Sequence, residues 1–150
     1  MQTIDNQPSA PVPAQPQSVC VICGPNHPHG LRLRFDFGAD GAATAHWTPA
    51  ADWQGFRGII HGGIISAVLD EAMAKAVTAA GYALTGELRV RFRRPVAPGE
   101  ALRIRGWVVE RSRRMIKAEA TLTTLDGSEC AHAWSAFLPP AAGREGGIAG

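Results

Sequence analysis

Gly58-Ile59-Ile60-His61-Gly62-Gly63-Ile64-Ile65-Ser66-Ala67-Val68-Leu69-Asp70-Glu71-Ala72-Met73 opens a helical pattern on two glycines and sets Asp70 inside an almost wholly apolar run. From Gly63 to Ala80 strong helix formers continue without proline, and Gly81 is the expected left-handed residue that closes the helix. Apolar side chains run nearly all the way round it, so it must be buried on most sides. Only strands remain in the sequence to wrap it. Upstream, Leu31, Leu33, Phe35 and Phe37 alternate with Arg32, Arg34 and Asp36, a strand period, and Ala43 to Trp47 follows the turn Gly38-Ala39-Asp40-Gly41 as a hairpin partner. Downstream, Leu88, Val90 and Phe92 alternate with arginines. Leu102 and Ile104 follow the Pro98-Gly99 turn, then come the inward set Ile116, Ala118, Ala120 and Leu122 and an alanine-dense strand, Glu129 to Leu138. Small inward side chains let a sheet close tightly. The predicted fold is α+β, a curled antiparallel sheet wrapped around one long central helix.

Length and composition bound the possibilities. A chain of 150 residues, 45% hydrophobic and 19% charged, reads as one globular domain. No apolar run approaches the roughly 18 residues of a membrane span, so no membrane is expected. Residues 1–18 hold four prolines and one charge and read as a flexible tail without a secretion signal; residues 140–150, rich in glycine, read as a second tail, leaving 19–139 as the domain. A cytoplasmic location is the default expectation. The odd set Cys20, Cys23 and Cys130 reads as reduced thiols. The net charge of +2 does not suggest a nucleic-acid partner, although nine of the fifteen Lys and Arg residues are arginines between Arg89 and Arg114.

The helix glycines leave backbone N–H groups at the positive end of the helix dipole, a donor site for an oxyanion. Asp70 and Glu71 are separable by their neighbours. Lys75 lies four residues past Glu71, which makes Glu71 an ion-paired residue of a solvated face. Asp70 has Ser66, Ala67, Met73 and Ala74 around it. It is an isolated acid whose desolvation raises its pKa toward general-base work, unless it pairs with a distant arginine.

Gly58-Ile59-Ile60-His61-Gly62-Gly63 with Asp70 nine residues after the histidine, the strand Leu88 to Pro95 leading to Pro98-Gly99-Glu100, and the final alanine-rich strand together resemble the hotdog-fold acyl-CoA thioesterases, in particular the phenylacetate-degradation type. The resemblance covers about Cys20 to Leu138. It implies a hotdog fold and hydrolysis of an acyl- or aryl-CoA thioester to the acid and coenzyme A, without a cofactor. It also implies a homodimer or dimer of dimers, because the family's sites lie between subunits. Asp70 is then general base or nucleophile, and the Gly62 N–H polarises the carbonyl beside Gly63. Thr85 occupies a position where relatives carry a hydroxyl that holds the attacking water, and is equally a threonine opening a strand. A side-chain amide often stands where this chain has Gly55, and Gln54 is the nearest substitute. His61 is expected to shape the loop by hydrogen bonding, with a role as base still open.

Trp53 and Phe56 are candidates for the acyl pocket or for ordinary core. Arg113 and Arg114 are candidates for the coenzyme A phosphates, which guanidinium groups bind bidentately. Cys20-Val21-Ile22-Cys23 with His27 and His29 lacks the histidine separation of a zinc site, so a packing and turn role is preferred and no metal is expected. The competing functional class is a non-catalytic acyl-CoA-binding hotdog module, a sensor or scaffold, which needs the pocket but not the acid.

Overall fold

The computed structural model describes residues 19–78 and 83–139. Both tails and the expected helix-closing Gly81 lie outside the described residues. The elements are β1 (Asp36–Phe37), β2 (Ala43–Trp47), a short 3-10 turn (Ala51–Trp53), α1 (Gly62–Thr78), β3 (Leu84–Phe92), β4 (Leu102–Arg111), β5 (Ile116–Thr124) and β6 (Glu129–Leu138). The strands form one antiparallel sheet in the order β1-β2-β4-β5-β6-β3, with α1 on its inner face. The hotdog architecture expected from the sequence is the one observed.

What seats the helix is a row of small residues. Ala43 faces Gly106, Gly106 faces Ala120, Ala120 faces Ala133, and Ala133 faces Val90, so a shallow trough crosses five strands. Gly106 is its floor: a Cβ there would lie 2.4 Å from the carbonyl carbon of Ala72. Helix backbone therefore rests directly on sheet backbone. Val68, Leu69, Ala72, Met73 and Val77 fill the interface against Leu102, Ile104, Leu122 and Phe137.

The strand expected over residues 31–37 is mostly not a ladder strand. Arg32 has a positive φ of 54°, and its guanidinium donates to the His27 carbonyl at 3.2 and 3.1 Å. Leu31 and Leu33 instead donate to the carbonyls of Val21 and Ile22, each at 2.9 Å. The alternation still reports burial, because Leu33 is buried and Leu31 and Phe35 pack on the core. β1 and β2 do form the expected hairpin.

Strand β3 is different in kind. It crosses from the end of α1 to the far edge of the sheet and, among the described residues, pairs only with β6 and leaves its other edge unpaired. Leu84, Leu88 and Phe92 on it are exposed, so the inward face expected from its alternation is only half covered within one chain.

Candidate active site

Asp70 sits midway along α1 and is half-buried. Thr85 Oγ1 donates to Asp70 Oδ1 at 2.8 Å, so two residues singled out separately in the sequence form one unit. Burial raises the pKa of the Asp70 carboxyl, the Thr85 hydroxyl lowers it in part, and the neighbouring Glu71 charge adds a smaller upward push. The net direction is upward, as a general base requires. The alternative of an arginine partner for Asp70 does not materialise among the described residues.

The sequence did not announce how Thr85 reaches the acid. Between Thr85 and Glu87 the β3–β6 register slips by a bulge, and the buried Ser135 hydroxyl donates to the Glu87 carbonyl at 2.7 Å. A bulge bends its strand and re-aims the flanking side chains. Gly86 inside the strand is the available signal, since a Cβ there would meet Leu138 Cγ at 2.9 Å.

At the helix start, His61 is the capping residue. Its Nδ1 accepts the Gly63 N–H at 2.8 Å, and its carbonyl accepts from Ile64 and Ile65. This corrects the expectation of two uncovered glycine amides: Gly63 is covered. The Gly62 N–H has no acceptor among the described residues. It is the open donor of the pair. The Phe92 ring lies against the Gly62 Cα side, with Cζ 3.3 Å from where a Gly62 Cβ would be.

The loop before the helix closes on itself. The Gln54 side chain accepts from Gly58 N–H at 2.6 Å and donates to the Ala51 carbonyl at 2.9 Å, while His61 N–H donates to the Trp53 carbonyl. Both ends of the Gln54 amide are thus engaged in the loop. Gly55 lies against His61, whose Cδ2 would be 3.2 Å from an added Cβ. Trp53 packs on the core, whereas Phe56 stands 83% exposed at the loop tip.

Asp70 and Gly62 of one chain do not converge. They stand eight positions apart on the helix, about 12 Å along the axis, whereas an attacked carbonyl must lie roughly 3 Å from both base-held nucleophile and oxyanion donor. Arg113 and Arg114 are exposed on the β4–β5 hairpin. The neighbouring Arg111 donates to the Val77 carbonyl at 3.3 Å, which sets this hairpin at the opposite end of α1 from Gly62. The arginine excess is smaller than the sequence window suggested. Arg93 pairs with Glu129, Arg94 with Glu100 and Arg105 with Asp40, while Arg89 and Arg105 also lie over Trp134 and Trp107. A cleft of about 340 Å³ beside Glu87, Arg89 and Trp134 is on the outer face of the sheet, away from Asp70.

Glu71 pairs with Lys75 at 3.6 Å as the spacing predicts, but its face is not solvated. The Glu71 side chain is 17% exposed, because the segment around Cys20 lies over it. Burial first, and then Glu71 and Cys20, push the Cys23 thiol up to about 12. No helix among the described residues is long and apolar enough to cross a membrane.

Comparison with curated proteins found no match. Solved structures do match. A thioesterase superfamily protein, RHA08564, superposes with a TM-score of 0.77 at 24% identity over 81% of this chain, which spans 60% of that protein's length. A mutant of the phenylacetic acid degradation protein PaaI from Thermus thermophilus gives 0.68 at 26% identity, covering 73% of this chain and 95% of the other. A hypothetical thioesterase from Streptococcus pneumoniae, solved with coenzyme A, gives 0.66 at 17% identity over 71% of this chain and 84% of that one. A sequence profile of the Thioesterase superfamily matches residues 57–131, from the loop before Gly62 through β3 to the start of β6, and the chain belongs to that superfamily.

Proposed function

We propose that this protein is an acyl-CoA thioesterase in which Asp70, held by Thr85, attacks the thioester carbonyl directly or through a water. The observation that carries the reading is the partly buried Asp70, hydrogen-bonded to Thr85, on the helix that begins with an open Gly62 amide. In the tetrahedral intermediate the carbonyl oxygen takes negative charge, and a backbone N–H at a helix start stabilises it. The thiolate of coenzyme A then leaves and takes a proton: in the water route the acid is released at once, and in the direct route an anhydride on Asp70 forms first, which water hydrolyses to the acid and the free carboxylate. Neither a metal nor a redox cofactor takes part in these steps.

Because Asp70 and Gly62 of one chain stand about 12 Å apart, the donor comes from a second copy. The edge of β3 that is unpaired among the described residues, with Leu84, Leu88 and Phe92 exposed beside the site, is the surface that fits such a partner. We therefore assign a homodimer as the working unit, alone or as half of a dimer of dimers. Arg113 and Arg114, exposed and without an ion pair among the described residues, are assigned to the phosphates of coenzyme A. Phe56 and Trp53 border the acyl group.

The test is thiol release over aryl-, short- and long-chain acyl-CoAs, comparing wild type with Asp70→Asn. Turnover should fall by roughly 100- to 10,000-fold in the variant while the fold survives. An unchanged rate removes Asp70 from the chemistry. Binding of acyl-CoA without turnover by the wild type would assign the chain to the sensor or scaffold class instead. Oxygen-18 incorporation in a single turnover separates direct attack by the carboxylate from attack by water.

A further inference from the structure

Cys20-Val21-Ile22-Cys23-Gly24 folds as a tight turn around a sulfur atom. The backbone N–H groups of Ile22 and Cys23 both donate to Cys20 Sγ, each at 3.4 Å, and Gly24 N–H returns to the Cys20 carbonyl at 2.8 Å. Two amide donors converging on one sulfur fix its position at the head of the turn. This turn is laid against α1 at Glu71, 51 residues away in sequence, with Cys20 Sγ 3.8 Å from Glu71 Oε2. The two sulfurs and a Glu71 carboxylate oxygen all lie within 4.8 Å of one another.

These separations can be compared with what a metal demands. Tetrahedral zinc, with bonds of about 2.3 Å to sulfur and 2.0 Å to oxygen, sets ligand atoms about 3.5 to 3.8 Å apart. Side-chain movements on the order of 1 Å reach that geometry from the observed one. The geometry points to a divalent-metal site, zinc by its donor set, formed by Cys20 Sγ, Cys23 Sγ and Glu71, with water in the remaining position. Two thiolates select a borderline-soft ion over calcium or magnesium, and one carboxylate is a normal third ligand.

The surroundings suit the charge. Glu71 Oε2 faces Cys20, while its other oxygen, Oε1, faces Lys75 Nζ at 3.6 Å, so the carboxylate serves metal and ammonium at once. Two thiolates and a carboxylate balance a dication plus Lys75. The histidines of the sequence motif are not among the grouped ligands; His27 Nδ1 instead accepts the His29 N–H at 3.1 Å. Binding releases the thiol protons and ties the segment ahead of β1 to the helix turn that carries Asp70. This site is independent of the thioesterase reading.

The experiment uses the full chain, purified without added metal, for elemental analysis, followed by replacement with cobalt(II), whose thiolate charge-transfer absorption reports sulfur ligation. About one zinc per chain and a cobalt–thiolate band are expected, both abolished in the double variant Cys20→Ser/Cys23→Ser. Glu71→Gln should weaken metal affinity by roughly 10-fold or more. Absence of the cobalt band at millimolar excess overturns the site. So does a Cys20–Cys23 disulfide found in place of metal, or unchanged affinity in Glu71→Gln. Should the serine variant fail to fold, the wild-type titration and Glu71→Gln still decide.

Discussion

Replacing Gly106 by alanine tests the seat of the helix and, through it, the site. The new Cβ would lie 2.4 Å from Ala72 C, 2.5 Å from Ala72 O and 2.8 Å from Met73 N. Carbon atoms in contact prefer about 3.5 to 4.0 Å, so helix and sheet must separate by roughly 1 Å. The obstructing atoms are main chain and cannot rotate away. Overpacking of this kind costs typically 1 to 3 kcal/mol, and rigid neighbours place Gly106→Ala near the upper end. Loss of glycine's freedom in the unfolded chain offsets about 0.4 to 1 kcal/mol, leaving a net cost of about 2 kcal/mol or slightly more. For a chain of 150 residues that lowers the melting temperature by roughly 4 to 10 °C. Ala72 is two residues past Asp70, so the same retreat pulls Asp70 from Thr85. A misplacement of about 1 Å can cost on the order of 100-fold in rate. Thermal unfolding and thiol release on the same preparation measure both effects. A melting temperature within about 1 °C of wild type, with full turnover, would refute the direct backbone seat.

Thr85→Val keeps the shape and removes the donor to Asp70, so the Asp70 pKa rises further and the acid limb of the kcat/KM profile moves to higher pH. A limb that stays in place or moves down contradicts the pairing. Asp70→Asn should also raise stability at neutral pH. The folded-state pKa of Asp70 is raised, so the folded chain holds that proton longer than the unfolded one, and stability is lost as pH climbs from the ordinary aspartate range through the raised value. The advantage of the variant should therefore grow across that window and vanish below it; thermal melts as a function of pH measure this, and an advantage independent of pH would show another cause. Leu88→Lys on the open edge of β3 should weaken self-association by roughly 100-fold, since two leucines lose about 1.5 kcal/mol or more each, with turnover falling in parallel. Sedimentation velocity decides it, and an active monomer would remove the second copy from the mechanism.

Local pattern determined much of this molecule. The all-round apolar helix after Gly62, the alternation of β4 to β6 and their alanine content required a helix wrapped by a curled sheet, because period and side-chain size act within a few residues. The different surroundings of the two helix acids were legible for the same reason: Lys75 marks Glu71 as ion-paired, and no residue within a turn pairs with Asp70. What only the tertiary structure decided are relations between segments distant in sequence. The Ser135 hydroxyl and the bulge at Gly86 bring Thr85 to Asp70, and the backbone of Ala72 rests on Gly106. The turn at Cys20 covers Glu71, which pairing rules alone had assigned to solvent. His61 takes the amide of Gly63 and leaves that of Gly62 open. Periodicity records which side of an element is apolar, whereas burial and hydrogen bonding depend on what another part of the chain lays against it.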